Sequence, residues 1–248
     1  MKRSASRHQN TQLQQQRALL IALSDDLALP LLQVKTGLEV LEQKDFVRSE
    51  TVTIAQSMAL SAEAGLQMVE AYRLVLRADQ LENLPLQPLS IGAVLEDVAH
   101  RVWLYAKQYS TSIEVDVTGR LSPVLAHQPS LCAALEVLST SLVRAQAAQS
   151  QAQDYRLILG AHRTADNVIA AGVFTNIQGL SDRTLRAARA LSGRARQPLA
   201  SVPPGAASGV LIADMLCTAM WQPLRAAAHR NMGGLATAIP ATQQLNFV

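Results

Sequence analysis

Two runs of apolar residues stepping by three and four constrain this chain more than any other feature. Leu20, Leu23, Leu27, Leu31, Val34, Leu38 and Leu41 form the first seam, and Ile54, Met58, Ala62, Leu66, Val69, Tyr72 and Leu76 form the second. That spacing places each set along one side of an α-helix. Residues 42–48 between them are mostly polar and read as a turn, so the helices are expected to fold back as an antiparallel hairpin. A lone hairpin has little to bury its apolar side against. Pairing with a second copy into a four-helix bundle is the simplest solution, and a homodimer is expected. Pro30 lies inside the first seam, where it removes a backbone hydrogen bond and predicts a kink.

Beyond the hairpin the pattern changes. Residues 83–88, with Pro85 and Pro88, read as a linker. Residues 91–108 are helical, and 112–117 alternate as a half-buried strand. Residues 129–148 form a helix with proline in its first turn. Strands follow at 155–161 and 167–174, then a short helix at 181–191 and a Pro-, Gly-, Ala- and Arg-rich loop at 192–208. A helix at 209–221 precedes a last hairpin, 224–229 and 235–240, turning at 231–234. Mixed elements in this order predict a two-layer α/β sandwich, giving an α+β chain overall. The division expected is a disordered tail at 1–10, a helical dimerisation hairpin at 11–82 and the sandwich at 83–248.

Bulk properties narrow the function classes. Apolar residues make up 49% of the 248 but aromatics only 4%, so the core must be built mainly from Leu, Ala, Val and Ile. No apolar run reaches the roughly 18 residues a membrane span needs, and Met1-Lys2-Arg3 leads into polar residues where a secretory leader would be apolar. Cys132 and Cys217 are far apart in apolar helical surroundings, which predicts buried thiols in a reducing cytosol and no metal site. A cytoplasmic location without a membrane partner is expected. The formal charge of +3 owes much to Arg183, Arg186, Arg189, Arg194 and Arg196. Without interleaved aromatics these read as a solvated surface, and nucleic acid is not an expected partner.

Ser24-Asp25-Asp26-Leu27-Ala28-Leu29-Pro30-Leu31 resembles the phosphoacceptor box of sensor histidine kinases, Ser-His-Glu-Leu-Arg-Thr-Pro-Leu. Serine, both leucines and proline stand in register, but Asp25 occupies the place of the phosphorylated histidine. A carboxylate cannot form phosphohistidine. The second half resembles the family's ATP-binding domain in its order of elements and departs from it in its motifs. Ser141 stands where an asparagine would hold magnesium, and Val137 where an earlier one would be; Arg144 keeps the charge of the family's lysine. A serine hydroxyl is a weaker magnesium ligand than an amide oxygen. Thr175 replaces the aspartate that takes the adenine amino group, Ile177 replaces a glycine, and Gly179 survives. In the last phosphate motif Gly209 fits, while Ala207 and Leu211 do not.

The resemblance therefore implies a degenerate transmitter module, with ATP and magnesium binding lost and no catalytic residue. His8, His100, His127, His162 and His229 read as isolated, and none lies on the first helix beside Asp25. The expected role is a dimeric docking or scaffold protein for a response-regulator receiver domain or a partner kinase. Its docking residues would be Asp25, Asp26, Ala28, Leu29 and Gln33. An active kinase or phosphotransferase is one alternative, and a structural or nucleic-acid-associated dimer using the arginines is another.

Overall fold

The computed structural model describes residues 27–42, 48–78, 84–147, 155–164, 168–176, 180–190 and 207–242. Helix α1 is seen over 27–42, and α2 spans Arg48–Ala78. The two run antiparallel, as the seams predict. The Ser61 hydroxyl donates to Gln33 Oε1 at 2.9 Å. Gly37 lies so close to α2 that a Cβ there would come within 2.5 Å of Met58 Cγ. Pro30 and Leu27 face Gly65.

The seams themselves are divided. Ser61, Gly65, Met68 and Tyr72 turn inward on α2, while Leu31 and Leu38 of α1 and Leu66 of α2 stay exposed. A stripe wide enough for a four-helix bundle has two flanks, and one hairpin covers only one of them. The upper part of α2, from Met68 through Ala71 and Tyr72 to Val75, joins the same apolar core as the elements that follow. The expected boundary between the two halves, at residues 82–83, lies outside the described residues, as do the 43–47 turn and the 1–10 tail.

Those elements are β1 (Gln87–Leu89), α3 (Ile91–Gln108), β2 (Thr111–Thr118), β3 (Val124–Ala126), α4 (Gln128–Ala147), β4 (Tyr155–Arg163), β5 (Val168–Thr175), α5 (Asp182–Ala190), α6 (Ala207–Ala219), β6 (Leu224–His229) and β7 (Met232–Pro240). Five strands form a mixed sheet in the order β2-β4-β5-β7-β6, in which only β2 and β4 are parallel. α3, α4 and α6 cover its inner face, where Leu157, Leu159, Ile169, Val173, Leu235 and Ile239 meet Leu95, Leu135, Leu138 and Leu216. A smaller cluster of Ile158, Phe174 and Ala236 lies on the outer face.

Three expectations need correction. The 83–88 linker ends in a strand: β1 pairs antiparallel with β3, Gln87 opposite Ala126 and Leu89 opposite Val124. Three-residue strands are too short to show a period. The last turn comes earlier than 231–234. Arg230 and Asn231 form it, with φ of 44° and 63°, and Met232 already belongs to β7. Two central residues at positive φ match the right-handed twist of the paired strands. The helix placed at 209–221 begins at Ala207 and ends at Ala219.

Candidate functional site

The residues expected around a nucleotide converge where α4, the end of β5 and the start of α6 meet. Ser141 is fully buried on α4, and its hydroxyl accepts from Arg144 Nη2 at 3.3 Å. Directly against it lies Gly209 in the first turn of α6. A Cβ at 209 would stand 1.8 Å from Ser141 Oγ and 2.5 Å from its Cβ. Gly209 therefore lets the α6 backbone rest on the side chain of Ser141, a role set by helix packing. A longer side chain at 141 would drive into that backbone.

Thr175 closes β5 and is also buried. Its hydroxyl accepts from Gln146 Nε2 at 2.6 Å, while Gln146 Oε1 accepts from Thr111 Oγ1 at 3.3 Å. Gln146, fully buried on α4, thus ties β5 to β2 through one amide. Where the family's aspartate would meet adenine, the threonine is bonded to the protein itself. The residues at these positions do not fit a nucleotide–magnesium pair: Ser141 and Gly209 fill each other's space, and Thr175 serves an internal bridge. Arg144 forms no ion pair among the described residues, and its buried Nε has no hydrogen-bond partner. Ile177 and Gly179 lie outside the described residues.

Helix α5, between β5 and α6, is tied to its neighbours. Arg189 of α5 makes a two-pronged ion pair with Asp214 of α6, both bonds at 2.7 Å, and donates to the Leu224 carbonyl at 2.8 Å. The hydrogen bond to Asp214 is the main cause that raises the Arg189 pKa above its ordinary value. Leu185 is buried beneath it, and Asp182 accepts from the Ala226 amide at 3.1 Å. Of the arginines grouped by sequence, Arg189 is thus a structural clasp, Arg183 and Arg186 are exposed, and Arg194 and Arg196 lie outside the described residues.

On the hairpin, Asp25 and Asp26 lie outside the described residues, while Ala28, Leu29 and Gln33 are exposed on α1. Gln33 also bonds Ser61, and Gln108 at the end of α3 donates to Ser57 Oγ at 2.7 Å, bracing the hairpin against α3. Both cysteines are buried free thiols. Burial pushes Cys132 up to about 11 and Cys217 up to about 12.

The histidines depart most from expectation. His162 and His229 are paired, Nδ1 to Nδ1 at 3.0 Å, and His229 Nε2 lies 2.6 Å from Asp116 Oδ2. The residues are 67 and 113 positions apart and come from β4, β6 and β2. No spacing in the sequence signals them; only the curl of the sheet brings them together. Gln146 was missed for the same reason.

No protein-family model matches the sequence, and no curated relative does. Solved structures do. A histidine kinase of Acinetobacter baumannii, AdeS, is 14% identical with a TM-score of 0.50, over 86% of this chain and 96% of that one. A bacterial phosphotransferase is 12% identical with a TM-score of 0.50, over 91% and 96%. The histidine kinase ThkA, in complex with the response regulator protein TrrA, is 8% identical with a TM-score of 0.54, over 97% and 66%. Among the described residues no helix is long and apolar enough to cross a membrane. At these identities the likeness speaks for the fold, and on that ground this chain is built on the fold of the histidine kinase transmitter.

Proposed function

We propose that this chain is a catalytically inactive, histidine-kinase-like signalling protein that works as a dimer and docks a receiver domain or a partner kinase without exchanging a phosphoryl group. The observation that carries the reading is the closure of the nucleotide-facing positions onto each other: Gly209 on Ser141, and Gln146 on Thr175. Asp25 in the phosphoacceptor box points the same way, since a carboxylate there supplies negative charge without the nucleophile. The division into a dimerisation hairpin and a degenerate ATPase-like half belongs to the same proposal. Exposed Leu31, Leu38 and Leu66 support pairing of two hairpins, and exposed Ala28, Leu29 and Gln33 offer the docking surface. ThkA, on the same fold, is a kinase seen with a response regulator. A cytoplasmic setting and the loss of ATP and magnesium binding complete the proposal.

Calorimetry with ATP and magnesium tests the pocket, and titration with receiver domains tests the docking. The expected result is no heat from the nucleotide and saturable receiver binding that weakens on Leu29→Glu. Radiolabel on this chain after incubation with ATP would refute the inactivity. The likeness to a bacterial phosphotransferase makes transfer the second reading, and label taken from a phosphorylated receiver would establish it.

A further inference from the structure

The outer face of the sheet carries a polar chain that the docking reading does not use. β6 ends in His229, whose ring lies over Gly160 of β4; a Cβ at 160 would come within 2.9 Å of His229 Cδ2. Phe174 of β5 stacks with the same ring, centroids 5.0 Å apart. His162 of β4 meets His229 with nitrogens 3.0 Å apart and centroids 5.2 Å apart, so the two rings touch edge to edge. This contact and the Asp116 bond hold the tip of the β6–β7 hairpin over the small cluster of Ile158, Phe174 and Ala236.

Proton positions follow from the partners. A carboxylate only accepts, so His229 Nε2 carries its proton toward Asp116, and neutral His229 has a bare Nδ1. His162 must then donate its Nδ1–H to that atom. The pair can take one proton on either ring and keep a single N–H···N bond between the two Nδ1 atoms. The next leaves the Nδ1 atoms of both rings protonated, so that two N–H groups oppose each other across 3.0 Å.

We propose that Asp116, His229 and His162 form a pH-sensitive latch, which holds the β6–β7 tip on the sheet and releases it when both imidazoles are protonated. The surrounding charges are Asp116 and Glu114 from β2, Arg156 from β4 and Arg230 from the turn. Arg230 bonds Asp116 at 2.6 Å and Glu114 at 3.4 Å, and Arg156 pairs with Glu114. The two guanidiniums balance the two carboxylates, so among the described residues no spare negative charge stabilises a second imidazolium. Burial and then His229 hold His162 below the ordinary histidine value, in the direction the latch requires. Release uncovers Ile158, Phe174 and Ala236, an apolar patch on a face that no described helix covers.

Amide exchange, corrected for intrinsic rate, tests this at about pH 7.5 and about pH 5.5, on either side of the histidine range. Protection of the β6–β7 tip should fall by up to about tenfold between these two pH values, because the lower one lies only about one unit below the ordinary histidine value, while β4 and β5 keep theirs. His162→Gln, which offers His229 a neutral N–H donor, should stay protected at the lower pH. Nitrogen-15 titration of the unaltered protein should show two separated steps, the second well below the ordinary range. Two independent ordinary titrations with unchanged protection would overturn the latch, and so would equal acid loss of protection in His162→Gln.

Discussion

Gly209→Ala separates two readings of the same glycine. If Gly209 serves as an anion-binding backbone, a methyl group there should disturb binding and leave stability alone. If it serves the contact between α4 and α6, the methyl has nowhere to go. It would stand 1.8 Å from Ser141 Oγ, 2.5 Å from Ser141 Cβ and 3.0 Å from the Val137 carbonyl oxygen. The last of these is helix backbone and cannot swing aside. Overpacking of this kind costs about 1–3 kcal/mol, and better helix propensity returns at most about 1 kcal/mol. A net loss of about 1–2 kcal/mol should lower Tm by about 2–4 °C per kcal/mol in a chain of this size. Chemical denaturation with circular dichroism checks it. The control is the double variant Ser141→Gly with Gly209→Ala, which removes the opposing atoms and should recover about half or more of the loss, as contacting sites couple. A Gly209→Ala protein as stable as the parent would refute the helix contact.

Thr175→Val removes the acceptor of Gln146 and leaves a buried amide N–H unpaired; urea titration should register a loss of about 1–3 kcal/mol. Asp214→Asn weakens the Arg189 clasp, and because Arg189 is half-exposed the cost should be only about 1 kcal/mol, seen more clearly as faster proteolysis at α5. Burial raises the Glu136 pKa above its ordinary 4.5, with Arg101 opposing, so its contribution to stability is present below 4.5 and is lost as pH rises through the folded value. Denaturation of Glu136→Gln between acid and neutral pH should therefore show a flatter pH dependence than the parent. Cys132 and Cys217, raised to about 11 and about 12, should react with a thiol reagent only as the protein unfolds. Leu31→Glu with Leu38→Glu should convert a dimer to a monomer in sedimentation; an unchanged mass would rule out pairing through this flank.

Local periodicity carried most of the architecture. The 91–108 helix is found at those bounds, and the expected 112–117 and 155–161 strands lie inside β2 and β4. Helices and alternating strands are written in neighbouring residues, because each needs one apolar side within a few positions. The motif departures at Ser141 and Thr175 were also legible one residue at a time. What the side chains at these positions touch was not. Gln146 meets Thr175 across 29 positions, Arg189 meets Asp214 across 25, and His229 meets Asp116 across 113. A glutamine on a helix or a histidine at a strand end has the same sequence neighbourhood whether it is solvated or bridged. Which flank of each seam is buried, why Gly209 is a glycine and where the two imidazoles meet depend on the approach of distant backbones, and only the tertiary structure settles that.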